Sequence, residues 1–155
     1  MDLASSGSTT RWVGFGVADQ TSGGMLGADI ATVHFDPDDP EAAVSVVDRH
    51  VPWDAYPHSQ LYPERDEHAD WCLEGYELSG GRFRAVLARE LVTGDAYDND
   101  VDATWASMAA IWAHGSQSDV SYHGPNRGTV LVPLAGETPK VPADAEGFID
   151  LTFSE

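Results

Sequence analysis

The stretch Arg11-Trp12-Val13-Gly14-Phe15-Gly16-Val17 sorts its side chains into two sets. Trp12, Gly14 and Gly16 fall on one side and Val13, Phe15 and Val17 on the other, the period of a β-strand, in which successive side chains point to opposite faces. Working outward, further short runs follow the same pattern. Ile30 to Phe35 is apolar and is broken by Asp36-Pro37-Asp38-Asp39-Pro40, a turn that no strand interior would accept. Ala43 to Val47 is a third strand, and Trp71 to Leu78 and Arg82 to Leu91 flank the hairpin signal Ser79-Gly80-Gly81.

Thr104 to Trp112 is apolar throughout. Its alanines favour a helix on propensity, but its length, the stop at Gly115 and the strands around it favour a buried strand. Val130 to Leu134 and Phe148 to Phe153 complete the set. From Asp48 to Asp70 there is no steady period, so this segment reads as a long ordered loop whose aromatics need cover from water. About nine short strands with many turn signals and no amphipathic helix imply an all-β fold, an antiparallel β-sandwich.

The chain has 155 residues, a natural size for one domain. Residues 1–10 are small and polar and read as a flexible lead-in to a single domain over 11–155. No apolar run is long enough to insert in a membrane. Acidic residues number 26 against 8 basic ones, for a net charge of -18. That charge repels phosphate backbones and anionic lipid, so nucleic acid is a poor partner, and a solvated acidic surface is the simplest account of it. The beginning Met1-Asp2-Leu3-Ala4-Ser5-Ser6 lacks the basic start and apolar segment of a signal peptide. Cys72 is the single cysteine, which excludes an intrachain disulfide, and its apolar surroundings suggest a small buried thiol.

Several chemistries have no support. Gly14-Phe15-Gly16 lacks the third glycine and the helix of a dinucleotide fingerprint, and there is no nucleophile elbow. No catalytic centre is evident. His50, His58 and His68 lie among carboxylates, but their spacing matches no zinc or copper motif and they read as surface histidines. Asp95, Asp98, Asn99, Asp100 and Asp102 resemble a calcium loop in composition only, without its glycine and terminal glutamate. Met25 and His123 stand out as a pair. Each sits in a glycine-bearing turn, Gly24-Met25-Leu26-Gly27 and Tyr122-His123-Gly124, before an apolar run. A thioether and an imidazole are an axial set that holds haem iron six-coordinate and favours electron transfer.

Six short motifs, in order and spacing, resemble DOMON domains. They are Trp12 to Val17, Gly24 to Asp29, Ala69-Asp70-Trp71, Phe83 to Arg89 with Thr93-Gly94-Asp95, Ile111 to Gly115, and Tyr122-His123-Gly124 with Asn126-Arg127-Gly128. The resemblance spans about residues 11–134. It implies an immunoglobulin-like sandwich of about nine to eleven strands, extracellular or in the secretory-pathway lumen, as one module of a larger protein. DOMON domains are similar to the cytochrome domain of cellobiose dehydrogenase, which implies a haem b between Met25 and His123, with His114 as the competing second ligand, and a redox partner domain or protein. In copper monooxygenases of the dopamine type the module instead holds an ion. The matching residues here are Asp29 and Asp70, whose hard oxygens suit calcium or sodium. Phe15, Trp53, Trp105 and Trp112 are the expected walls of a haem slot. The alternative is a non-catalytic scaffolding or recognition sandwich, with Trp53 and Tyr56 as stacking surfaces for a carbohydrate or small molecule.

Overall fold

The computed structural model describes residues 3–4, 10–39, 41–54, 62–79 and 82–134. Among these there are nine strands and no helix: β1 (Leu3–Ala4), β2 (Trp12–Val17), β3 (Asp29–His34), β4 (Ser45–His50), β5 (Glu64–Arg65), β6 (Cys72–Ser79), β7 (Arg82–Ala88), β8 (Ser107–Gly115) and β9 (Arg127–Pro133). They form two antiparallel sheets, one of order β5-β4-β3-β2-β8-β9 and one of order β1-β7-β6. The all-β expectation holds, and the two sheets pack as a sandwich. The expected strand Phe148 to Phe153, and Tyr56 and His58, lie outside the described residues. No helix among the described residues is long and apolar enough to cross a membrane.

The alternation of β2 decides what each face of the larger sheet does. Val13 packs with Val33, Phe35 and Phe83, and Phe15 and Val17 pack with Ala31, Trp71, Met108 and Val132, so the odd-numbered face forms the interior. Phe35 and Phe83 stack across the two sheets, with ring centroids 3.9 Å apart. Each buried apolar side chain of this size contributes roughly 1.5–3 kcal/mol. Trp12, Gly14 and Gly16 point the other way, toward a groove on the outer face. Both faces of β2 are therefore covered, and all six of its residues are buried.

Several sequence expectations shift at their edges. Leu3–Ala4, within the expected lead-in, pairs with Arg82 and Phe83 of β7. The apolar run expected from Thr104 starts as a strand only at Ser107, because residues 103–106 form a turn. The run Asp48 to Asp70 is not all loop: β4 continues through His50, pairing Asp48 with Ala31 and His50 with Asp29, and β5 then pairs back on it. Polar residues hid this strand, because their partners are other polar groups in the interior. Cys72 is exposed, not buried. It is the first residue of β6, whose side chains alternate along a sheet edge, and it follows Trp71, which takes the inward position.

Candidate functional site

The loops that carry Met25 and His123 come from opposite ends of the larger sheet. The first joins β2 to β3, at the Val17–Asp29 end of their pairing. The second joins β8 to β9, beyond Gly115, which pairs with Trp12 at the far end of β2. Each residue begins a tight turn. The Ala28 N–H donates to Met25 O at 3.1 Å, and the Asn126 N–H donates to His123 O at 3.0 Å. Gly27 and Gly124 supply the left-handed backbone of these turns, with φ of 69° and 56°, a region that side chains with a Cβ rarely enter. Asn99 pins the first loop by donating to Val17 O at 3.0 Å and Gly27 O at 2.7 Å.

Between the two loops runs a groove of about 840 Å³, within the ~300–1,000 Å³ of small-molecule and cofactor sites. Met25 and His123 both line it, over a floor of Gly14, Gly16, Ile30 and Ile111. Met25 packs against the buried cluster of Ala28, Ile30 and Val51, as do Leu26 and Ile111. His123 Nδ1 lies 3.3 Å from Gly124 O. A carbonyl only accepts, so Nδ1 is the donor in this contact, and in the neutral ring Nε2 is then the nitrogen with the lone pair. Tyr122 stacks on the ring at 5.7 Å between centroids and is 85% exposed.

The rim is tied in place by a buried arginine. Arg49 donates from Nε to Thr32 Oγ1 at 3.1 Å, from Nη1 to Pro63 O at 3.1 Å and from Nη2 to Asp119 Oδ1 at 3.0 Å. Tyr62 Oη adds a bond to Val120 O at 3.0 Å. Nothing in the sequence pairs Arg49 with these segments, because both are distant in the chain and irregular.

Of the aromatic walls expected from sequence, Phe15 and Trp112 border the groove, but they pair with each other on the inner-face register, where Phe15 packs edge-on against Trp71 and Trp112 stacks on His114. Trp105 packs against the interior instead, and Trp53 is 58% exposed, with its ring over Gly27. Trp12, Tyr62 and Tyr122 also line the groove and were not among the expected walls, although the place of Trp12 on the Gly14–Gly16 face was legible. His114 is not part of the lining. It sits opposite Val13 on the inner-face register, its Nδ1 is 3.4 Å from Thr10 Oγ1, and burial, then the nearby His123, lower its pKa.

A second cluster lies in the interior. Asp29, Asp48 and Asp98 bring carboxylate oxygens within 4.8 Å of one another. Asp29 Oδ1 accepts from Trp71 Nε1 at 2.6 Å, and its Oδ2 is held by Arg89 Nη1. Arg89 also lies over the Trp71 ring, 5.4 Å from its centroid, and 3.7 Å from Asp98 Oδ2. Burial pushes the Asp29 carboxyl up to about 7, against the opposing pull of Arg89. Asp48 is pushed up to about 6 by burial, although the Asp70 and Trp71 N–H groups donate to it. Asp98 is raised as well, again chiefly by burial. Asp48 Oδ1, Asp98 Oδ2 and Arg89 Nη2 are buried without a hydrogen-bond partner. Asp29 is thus gathered with Asp48 and Asp98, while Asp70 enters through its backbone N–H at 2.6 Å from Asp48 Oδ2.

The acidic loop disperses its side chains. Asp98 goes to this cluster and Asn99 to the β2–β3 loop, while Asp102 caps the turn at Thr104. Asp95 accepts from the Tyr97 N–H and lies 2.8 Å from His68 Nδ1. His50 Nδ1 makes a parallel contact with Asp66 Oδ2 at 2.8 Å while its ring stacks on Tyr97. Asp66, His68 and Asp95 offer oxygen and nitrogen atoms within 4.8 Å of one another. No protein-family model matches the chain.

Proposed function

We propose that the chain is a haem b-binding electron-transfer module of DOMON type, with Met25 and His123 as the axial ligands. The single observation that carries this reading is that both residues line one groove on the outer face of the sheet, although they lie on different loops. The donor chemistry fits. His123 keeps Nε2 available while its Nδ1 proton is held toward a carbonyl, the arrangement in which metal-binding histidines are usually fixed. The glycine floor leaves room for a flat ring, and Trp12, Ile30 and Ile111 supply apolar lining. Bound haem would supply a one-electron couple, whose potential thioether ligation and burial tune. His123 rather than His114 takes the ligand role, since only His123 faces the groove.

In this reading the fold is immunoglobulin-like with extra strands. The module belongs to a larger extracellular or secretory-pathway redox protein, and electrons pass to or from a partner domain or protein. Absorption spectra of the purified protein, reconstituted with haem and then oxidised and reduced, test it. A Soret band that is shifted or lost in Met25→Ala and His123→Ala, and kept in His114→Ala, is the expected result. No band in the parent protein, or a band indifferent to both ligand substitutions, rejects it.

A second reading rests on the interior cluster. The unpartnered oxygens of Asp48 and Asp98 beside Asp29 suit a hard cation such as calcium or sodium, which would brace the loops of a non-catalytic scaffolding or recognition sandwich for a carbohydrate or small molecule. Melting the protein in the presence and absence of calcium and of sodium tests it: a raised melting point supports the ion, and an unchanged one removes it.

A further inference from the structure

The groove combines apolar residues with the neutral polar side chains of Thr32, Ser121, His123 and Thr129, and it carries charge at one point. Of the residues that line it, Arg127 alone carries a formal charge at neutral pH. Arg127 opens β9, where it pairs with Ala113, and it is exposed. Among the described residues no carboxylate pairs with it. Arg65 shares this lack among the described residues but does not line the groove. By contrast, Arg11, Arg49 and Arg89 are each held by aspartates. A guanidinium is planar and presents several donors in a fixed fork that matches a carboxylate. Here the fork stands at the rim of a mostly apolar slot, in a protein whose overall field repels anions.

We infer that Arg127 receives a carboxylate of the ligand, so that the groove selects a flat apolar acid over its uncharged ester. This inference rests on the groove as the ligand site, as the haem reading does, and it assigns to Arg127 the acidic side chains of the porphyrin. The apolar body settles over Gly14 and Gly16, and the charged end remains at the solvent edge beside Arg127. The acidic surface then contributes selectivity: an anion without the apolar body is repelled, and an apolar body without the anion leaves Arg127 unmatched.

The test compares two pairs of probes on the parent protein and on Arg127→Gln. The first pair is haem b and its dimethyl ester, followed by the Soret band. The second is pyrenebutyric acid and its methyl ester, followed by fluorescence. Because Arg127 is exposed, Arg127→Gln is expected to melt with the parent, which checks the fold separately. The acids should bind the parent about tenfold tighter than the esters, and Arg127→Gln should remove that preference, as loss of one charge-assisted contact predicts. Acid and ester binding alike in the parent, or a preference that survives Arg127→Gln, overturns the inference. If the pyrene acid shows the preference and the protein leaves the Soret band of free haem unshifted, the inference stands and the haem assignment falls. Binding of none of the four probes overturns both.

Discussion

Replacing Arg89 with methionine would leave three carboxylates in the interior without their cation. Methionine retains most of the aliphatic stem that packs beneath the guanidinium, so the substitution removes chiefly charge and hydrogen bonding. The Arg89 side chain is 6% exposed and that of Asp29 is fully buried, so solvent does little to screen the loss. Removing one partner of such a pair costs about 3–5 kcal/mol, because the other charge must either stay buried and uncompensated or take up a proton. With an unfolding entropy of roughly 2.1 cal/mol/K per residue over 155 residues, the melting point should fall by about 9–15 °C. Thermal denaturation by circular dichroism at neutral pH measures it. Adding Asp29→Asn to Arg89→Met removes one of the stranded charges and preserves the Oδ1 that accepts from Trp71 Nε1. The double variant should therefore melt above the single one, by about 2–9 °C for the coupling typical of contacting residues. A single variant within about 3 °C of the parent, a shift worth only ~1 kcal/mol, would refute the reasoning, as would a double variant that melts below the single one.

Three further outcomes follow from individual residues. Burial lowers the His34 pKa, with Arg49 adding to the effect against a hydrogen bond involving Ser118; the unfolded chain therefore takes up the proton first, and stability attached to neutral His34 is lost as pH falls below about 6.5. His34→Gln should flatten the dependence of melting point on pH between about 7 and 5, and an identical slope in parent and variant would dismiss this role. A Cβ at Gly16 would stand 2.5 Å from Asp29 O and 2.9 Å from Ile30 Cγ1, whereas one at Gly14 meets nothing nearer than 3.6 Å. Gly16→Ala should accordingly cost about 1–3 kcal/mol by denaturant titration while Gly14→Ala is tolerated, and equal effects would contradict the packing described. Exposed Cys72 should react with Ellman's reagent in the native protein as fast as in denaturant; protection in the native state would place the thiol elsewhere.

What could be read from sequence was local. The Trp12–Val17 alternation and the glycine turns around Met25 and His123 each lie within a few residues, and they placed β2 and both loops correctly. The groove itself was not legible, because its floor combines two glycines of β2 with Ile30 of β3 and Ile111 of β8, and its walls are loops from opposite ends of the sheet. Arg89, Asp29, Asp48 and Asp98 come from four segments that only strand register brings together. Asp48 was further hidden because a buried carboxylate near a strand end looks, in sequence, like the start of a loop. Cys72 misled for a related reason: an apolar neighbourhood in sequence does not say which neighbour faces inward, and Trp71 does.

The two loops that flank the groove have a consequence for motion. They close separate hairpins, β2 with β3 and β8 with β9, which are joined through the pairing of β2 with β8. Without a ligand each loop is free to open on its own schedule, at an energy set by local contacts. A molecule held by both would make those openings a single event, since neither loop could lift without releasing it. Amide exchange should then slow together around Met25 and around His123, tying into one cooperative unit two segments that sit far apart in the chain.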